Sequence, residues 1–460
     1  MDEQVFDVAV MGGGPGGYIA ALRAAGLGKS VALAEMDLVG GTCLNRGCVP
    51  TKALLESVRL LRGAGRAAEF GVRVEGLAPD VGKMAARSQS IVEMMRKSVE
   101  GLLSKANVTL FHGRARLASR DALEIQTEGA SRLAKARAII IATGSRWITL
   151  PGVDPDGETI ITSDHALDLS RAGGAMTVVG GGAVGCEIAE IYSALGTKIT
   201  IVEMMDHLLP LEDAEIARRL EAALKRKGIS ILTGAKVASV EKGDKMRVTL
   251  EDGRSLESDR VLLGVGRRPN LEDLGLEGAG VAFEKRGIVT DSRLRTNVEG
   301  VYAVGDVTAK FLLAHAAMMQ GIVAAENACG VPTEIDYAAV PRTVYTDPEF
   351  AAVGLTEAQA AQGGSKPGVY RIRLGQIGRA ITMGETFGMA KIVYEGPRGR
   401  ILGFHALAPH ASEIVSEMAL AIKRGLSPQD IAETIHPHPT LSEIAWEAAS
   451  GAAGRRIHGD

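Results

Sequence analysis

The sequence predicts an α/β protein with two similar βαβ segments and a C-terminal α+β region, and three observations predict it. A strand–glycine turn–helix–strand segment occurs twice, at Val5–Glu35 and Met176–Glu203. Glycine supplies 57 of 460 residues, well above the usual ~7%, as expected where tight turns and close backbone approach recur. The last third alternates strand and helix patterns but lacks that glycine turn.

In the first copy an apolar strand, Val5 to Met11, runs into Gly12-Gly13-Gly14-Pro15-Gly16-Gly17. A helical run from Ile19 to Ala25 follows, then Gly28 and a strand from Ser30 to Ala34 that ends at Glu35. In the second copy Met176 to Val179 runs into Gly180-Gly181-Gly182-Ala183-Val184-Gly185. The helical run Glu187 to Leu195, Gly196 and the strand Lys198 to Val202 then end at Glu203. The acid lies 23 residues beyond the first glycine in both copies.

This pattern serves dinucleotides. The first glycine (Gly12, Gly180) allows the tight turn, and the second (Gly14, Gly182) lets a pyrophosphate approach the backbone. The third (Gly17, Gly185) lets helix and strand pack closely, and the acid takes a ribose hydroxyl. The repeat therefore predicts two Rossmann-like dinucleotide-binding domains. Both acids favour a free 2′-hydroxyl. Glu203 is followed by Met204 and Met205, with no arginine to receive a 2′-phosphate, so the nicotinamide partner is expected to be NAD rather than NADP.

The remaining elements read conventionally. Ile91, Met94, Met95, Val99, Leu102 and Leu103 recur at helical spacing, an expected core stripe. Ile216, Leu220 and Leu224 form another helix, closed by Gly228. Lys236–Leu250 and Arg254–Val265 read as antiparallel strands about an Asp252-Gly253 turn. The pattern loosens around 331–339. Beyond it, Thr343–Tyr345, Tyr370–Leu374, Met389–Tyr394 and Ile401–Ala406 are expected strands, followed by helices over 412–424 and from Ser427 onward.

Composition narrows the function. Hydrophobic residues at 46% and charged residues at 23% are those of a folded globular chain. A formal charge of −3 argues against nucleic acid and against an anionic membrane surface as partners. No apolar run approaches the ~18 residues of a membrane span, and Met-Asp-Glu-Gln-Val-Phe has no basic, apolar leader. A cytoplasmic protein is expected. Four cysteines are too few for a disulfide scaffold. Cys186 and Cys329 stand alone and read as small core residues.

Cys43 and Cys48 do not stand alone: they lie in Gly40-Gly41-Thr42-Cys43-Leu44-Asn45-Arg46-Gly47-Cys48-Val49-Pro50-Thr51-Lys52. In a straight helix residues five apart are ~7.5 Å apart along the axis, beyond disulfide reach. The pair can meet only where the backbone bends, which Asn45 and Gly47 tolerate. A helix starting at Pro50 would leave Cys48 at its positive end, where a thiolate is favoured. Neither cysteine has the neighbours of a metal site, and no metal is expected.

This stretch, just after a first dinucleotide motif, resembles the redox-disulfide signature of the class I pyridine nucleotide–disulfide oxidoreductases. Ala142-Thr143-Gly144-Ser145, Gly264-Val-Gly266-Arg-Arg-Pro-Asn270 and Val301-Tyr-Ala-Val-Gly-Asp306 resemble further family segments, so the resemblance spans the chain. It implies an FAD-binding domain over 1–148 and 266–335, an NAD-binding domain over 149–265, and a C-terminal dimerisation domain over 336–460. Leu313-Ala314-His315 and His436-Pro-His438-Pro-Thr-Leu-Ser-Glu443 point within the family to oxidation of protein-bound dihydrolipoyl groups with NAD. The implied partner is a lipoylated protein of a 2-oxo acid dehydrogenase or glycine cleavage complex. The alternative is another FAD-dependent disulfide reductase. A glutathione-type enzyme predicts arginines near Glu203, and a mercuric-type enzyme predicts a C-terminal cysteine pair; neither is present.

The resemblance also implies roles. Cys48 is the sulfur facing the flavin, in a thiolate–flavin charge-transfer state, and Cys43 exchanges with substrate. His438, oriented by Glu443, moves the proton, and the family's homodimer places it in the other subunit's site. The same Thr440-Leu-Ser-Glu443 string is also a capping-box pattern. Lys52 and Glu187 match the ion pair beside the flavin and nicotinamide. Glu35, Gly113, Thr143, Gly144, Asp306, Ala314 and His315 match FAD contacts, and Glu203, Val237 and Gly266 match NAD contacts. Lys310-Phe311-Leu312 and Met318-Met319-Gln320 depart from the family pattern.

Overall fold

The strand read at Val5 is β1 (Gln4–Met11), which pairs in parallel with β2 (Val31–Glu35) through the crossover helix α1 (Pro15–Gly26). The computed structural model describes residues 4–363, 366–396 and 398–458. These form two units. One comprises Met1–Leu54, Gly82–Ile148 and Gly266–Asp336; the other comprises Leu55–Val81, Thr149–Val265 and Tyr337–Asp460.

In the first unit the sheet runs in the order 109–112, β2, β1, 130–141, 122–127, 114–119, and Val301–Ala303 pairs in parallel with 130–141. A parallel strand buried on both faces must be apolar throughout. Val8 and Val10 of β1 join one core with Ala20, Leu33 and Ile140, whereas Ala9 and Met11 join a second with Ala32, Ile139 and Ala303. Helix Ala314–Ala328 lies backbone-close to α1, because a Cβ at Gly321 would sit 2.3 Å from the Gly16 carbonyl oxygen.

The cysteine stretch forms two helices, α2 (Gly41–Arg46) and α3 (Cys48–Gly65). Between them Gly47 leaves helical geometry at φ −131°, ψ −109°. The backbone therefore bends as expected, but α3 begins at Cys48 rather than Pro50. Proline is tolerated inside the first turn because the N–H it lacks has no intrahelical partner there.

The second unit repeats the βαβ plan: β3 (Ala175–Val179), α4 (Ala183–Ala194) and β4 (Lys198–Val202) sit in an all-parallel sheet ordered 230–232, β4, β3, 260–263, 160–161. Asp213 caps α5 (Ala214–Arg226), accepting the N–H groups of Glu215 and Ile216, and Ile216, Leu220 and Leu224 are fully buried. Its C-terminal part is an antiparallel sheet ordered 342–344, 349–354, 401–408, 389–394, 368–373. Helices Ala411–Lys423 and α6 (Glu443–Ala452) cover it through Met418, Ile444, Ile392 and Phe404.

Three expectations are corrected and one strand is added. Lys236–Leu250 is two strands, Val237–Glu241 and Met246–Leu250, hairpinned onto each other. Arg254–Val265 splits at Asp259: Ser255–Ser258 stays in that hairpin sheet, while Arg260–Leu263 pairs with β3. The strand Glu349–Gly354, an interior strand of its sheet that the sequence reading did not list, carries no alternation because both faces are covered. In helix Val81–Lys105 the buried line is Ser88, Val92, Val99 and Leu103, whereas Met94, Met95 and Leu102 are exposed. Grouping them with Val99 and Leu103 merged two faces of one helix. Among the described residues no helix is long and apolar enough to cross a membrane.

Candidate active site

The two glycine turns are superimposable in chemistry, position by position. Gly12 and Gly180 have φ of +104° and +106°, and a Cβ on either would lie 2.4 Å from a carbonyl oxygen, of Ala142 and Gly264 respectively. A Cβ on Gly17 would lie 1.8 Å from the Gly12 oxygen, and one on Gly185 would lie 2.0 Å from the Gly180 oxygen. These four must be glycine for the fold itself. Gly14 and Gly182 differ. Their φ values, −68° and −74°, suit any residue, and the nearest protein atom to a Cβ is 4.0 Å away at Gly14, with none within 4 Å at Gly182.

Nothing among the described residues requires glycine at those two positions, and the space suits a group outside the chain. Each glycine is the N-cap of a twelve-residue helix with no side-chain cap, leaving N–H groups and the positive helix end to face it. The acids complete the match. Glu35 accepts the Gly13 N–H at 2.6 Å and the Asp37 N–H at 2.8 Å. Glu203 accepts the Gly181 N–H at 2.7 Å and the Met205 N–H at 2.9 Å. Burial raises the Glu35 pKa above the ordinary carboxylate value. The residues fit a dinucleotide in each turn.

The cysteine helices hang from the first turn. The Gly40 N–H donates to the Gly13 oxygen at 2.8 Å, and a Cβ on Gly41 would lie 2.7 Å from the Gly14 Cα. Gly47 is also obligatory, since its Cβ would meet the Thr42 oxygen at 2.9 Å. The bend brings the side chains of Cys43 and Cys48 into hydrogen-bond contact. That bond, with burial second, pushes the Cys43 pKa far above the ordinary thiol value, while the Lys52 ammonium opposes the rise. Cys43 therefore keeps its proton at neutral pH and needs a base before it can attack. Tyr18 of α1, absent from the sequence-based expectations, has its pKa raised by burial first and second by its proximity to the Cys43 sulfur.

Thr143 and Gly144 form a clasp with Asn270, whose amide donates to the Thr143 oxygen at 2.9 Å and whose N–H donates to the Gly144 oxygen at 3.0 Å. Gly144 has φ +70°. Asp306 accepts from Ser145 Oγ at 2.5 Å, and Ser145 Oγ accepts from Arg267 Nε at 2.8 Å. Burial raises the Asp306 pKa. Sequence reading passed over Ser145 as a functional position, although it stands beside Gly144. Gln320, noted only as a departure, is fully buried and accepts the Gly305 N–H at 2.5 Å, fixing the segment that carries Asp306. Ala314 is the first residue of its helix and half-buried, and His315 is exposed. Lys310 donates to the Thr290 oxygen at 2.8 Å. Gly113 donates its N–H to the Glu35 oxygen at 2.8 Å, and a Cβ there would strike the Gln126 oxygen at 2.4 Å, so packing alone accounts for this glycine.

In the second unit Glu187 is 4% exposed and accepts the Tyr345 N–H at 3.0 Å; it does not lie on a solvated helix face. Val237 opens its strand, half-buried opposite Leu250. Gly266 has φ +111° and accepts the Ile148 N–H on its carbonyl oxygen at 3.0 Å. His438 Nδ1 lies 2.8 Å from Glu443 Oε1, and Glu443 Oε2 accepts the Thr440 N–H at 2.8 Å. One carboxylate thus orients the imidazole and ties the turn before α6. His436 turns elsewhere: its ring nitrogens lie 2.9 Å from the Thr434 oxygen and 3.0 Å from Glu417 Oε1.

The Gly182 geometry makes a prediction. Gly182→Ala should fold and keep its flavin content, because its Cβ meets no protein atom. Its KM for NAD should rise about tenfold, a loss of ~1.4 kcal/mol. Steady-state kinetics with flavin quantitation check it; an unchanged KM removes the pyrophosphate from that turn.

Known proteins agree with this geometry. Residues 6–321 match the pyridine nucleotide-disulphide oxidoreductase family, and residues 340–449 match its dimerisation domain. The chain is 41% identical to a dihydrolipoyl dehydrogenase of Chlamydia muridarum, over 99% of this chain and 98% of that protein. It is 37% identical to one of Bacillus subtilis, over 98% and 99%. The crystal structure of LpdA from Mycobacterium tuberculosis superposes with a TM-score of 0.91 at 30% identity, covering 97% of this chain and 99% of that one. A flavoprotein disulfide reductase from Escherichia coli, RclA, superposes with a TM-score of 0.87 at 27% identity, over 98% and 99%. Joined to the paired glycine turns and the dithiol, these likenesses settle that the chain belongs to the pyridine nucleotide-disulphide oxidoreductases and carries their dimerisation domain.

Proposed function

We propose that this protein oxidises protein-bound dihydrolipoyl groups and reduces NAD, with Cys43 and Cys48 as the dithiol that carries the electrons. It is an oxidoreductase that uses FAD and NAD. The observation that carries the reading is the Cys43–Cys48 contact, suspended from the first glycine turn through Gly40 and Gly41. We assign FAD to that turn, over 1–148 and 266–335, and NAD to the turn at Gly180, over 149–265. Residues 336–460 form the interface of a homodimer. Four cysteines, too few for a disulfide scaffold, fit a cytoplasmic protein.

The proton and sulfur chemistry follows from the residues. A dihydrolipoyl thiol gives its proton to His438 of the partner subunit and attacks Cys43 of the oxidised pair, and Cys48 leaves as a thiolate at the start of α3. The second dihydrolipoyl thiol attacks the sulfur of the first and gives its proton to the Cys43 thiolate it expels, releasing a lipoyl disulfide; two electrons and two protons now reside on the enzyme, the protons on Cys43 and on His438 of the partner subunit. Glu443 holds the imidazole in the orientation that receives the proton. FAD, when bound, passes the two electrons between the dithiol and NAD. Lys52 lends its charge to the cysteine side, and Glu187 serves the nicotinamide side. Glu35 holds the adenosine ribose of FAD, and Asp306 its ribityl–phosphate region. Gly113, Thr143, Gly144, Ala314 and His315 complete the contacts with that cofactor. Glu203, Val237 and Gly266 are the NAD contacts.

The test is substrate competition on yellow, purified protein. NAD reduction by dihydrolipoamide should exceed turnover with glutathione disulfide or coenzyme A disulfide by orders of magnitude. Comparable turnover of either disulfide makes the protein a different disulfide reductase, and a colourless folded protein removes the flavin.

A further inference from the structure

Glu187 is one of two carboxylates that α4 removes from water. The other is Glu190, one turn further on and 2% exposed. Glu190 Oε1 accepts from Lys227 Nζ at 2.8 Å and from Arg62 Nη1, while its Oε2 is buried with no hydrogen-bond partner among the described residues. Lys227, just beyond α5, also donates to the Asp347 carbonyl oxygen and to Asp347 Oδ2 at 3.0 Å. Asp347 is two residues past Tyr345, whose N–H reaches Glu187 Oε1. One ammonium therefore ties the 345–347 segment back to the helix that carries Glu187.

We propose that Lys227 is a positioning residue: by bridging Glu190 and Asp347 it holds the Tyr345 N–H on the Glu187 carboxylate and so sets that carboxylate for the nicotinamide side of the reaction. This rests on the role given to Glu187 above. Losing Lys227 removes both bonds that tie the 345–347 segment to α4 through this ammonium and leaves the buried Glu190 with Arg62 as its cation. The charged groups facing Lys227 are Glu190 on α4, Asp347 on the tied segment, Arg62 on α3 and Glu385. Burial first, and Arg62 after it, lower the Lys227 pKa to about 8, against the pull of Asp347 and Glu385. The unfolded chain holds this proton to higher pH, so losing it between pH 8 and the ordinary lysine value does not destabilise the fold. It weakens the bridge alone.

The experiment compares the flavin-loaded dimer with its Lys227→Met and Lys227→Arg variants by amide hydrogen exchange and by the two half-reactions. In Lys227→Met the Tyr345 amide should exchange at least ~10-fold faster, and flavin bleaching by NADH should slow about tenfold. Bleaching by dihydrolipoamide should stay unchanged. Lys227→Arg should restore both, and its NADH half-reaction should stay level through pH 8, where the parent declines without loss of thermal stability. Parent-like Tyr345 exchange in folded Lys227→Met overturns the proposal, as does equal slowing of both half-reactions. Faster exchange with an unaltered NADH half-reaction upholds the bridge and removes Glu187 from the nicotinamide side, in which case Glu187→Gln is equally silent. If Lys227→Met does not fold, Asp347→Asn, which keeps the carbonyl contact and the Lys227–Glu190 pair, is read by the same criteria.

Discussion

Cys48→Ser is expected to lower NAD reduction by dihydrolipoamide by about 10³-fold or more while the purified protein stays folded and yellow. A serine oxygen closes no bridge with Cys43, so the enzyme cannot store two electrons as a dithiol. The substitution is isosteric at an exposed position at the start of α3, so the fold has little reason to fail. It also replaces the ionisable sulfur whose hydrogen bond is the largest cause of the raised Cys43 pKa by a hydroxyl that stays neutral and can donate to a Cys43 thiolate. In the reduced parent, alkylation of Cys43 by iodoacetamide should be slow at pH 7 and rise only at alkaline pH. In reduced Cys48→Ser the same reaction should begin at lower pH, because Cys43 moves back toward an ordinary thiol. Cys43→Ser should lose turnover to the same degree, yet accept electrons from NADH at the flavin in a single stopped-flow event. Retention of more than about 1% of turnover by either variant would take the disulfide out of the mechanism.

The second large effect belongs to His438. His438→Gln should slow reduction by dihydrolipoamide by about 10²–10⁴-fold, the usual worth of a positioned proton acceptor, and leave bleaching by NADH near the parent rate. The side chain is 75% exposed in the single chain, so its replacement costs about 0.5 kcal/mol of stability or less, and lost rate is not lost fold. Glu443→Gln is the sharper probe. Its amide oxygen still accepts the Thr440 N–H, but the charge beside the ring at 2.8 Å is gone. A slowing of about tenfold, smaller than that of His438→Gln, is expected if Glu443 acts through the imidazole. Equal loss in the two variants would instead assign Glu443 to the turn before α6. Stopped-flow half-reactions separate these outcomes.

What was readable in the chain was what local geometry imposes. Gly17 and Gly185, the two acids at equal spacing, the bend at Gly47 and the His438–Glu443 pair each depend on residues within a few dozen positions. Their chemistry leaves few substitutes: a Cβ on Gly17 would lie 1.8 Å from the Gly12 oxygen, whatever the rest of the molecule does. Within that range the errors were of phase, as where α3 starts at Cys48 instead of Pro50, or where Met94 and Leu102 were grouped with the buried face of their helix.

By itself, then, the sequence determined two dinucleotide turns, a bent cysteine pair and the chemistry they serve. Only the tertiary structure decided what surrounds them. Glu187 meets the Tyr345 N–H across 158 positions, Gln320 meets Gly305, and Glu190 meets Arg62 across 128. Such contacts leave no periodic trace, because a buried polar group needs a partner of the right kind but not one at a fixed spacing. The strand Glu349–Gly354 was hidden for a related reason: covered on both faces, it had no polar side to alternate with.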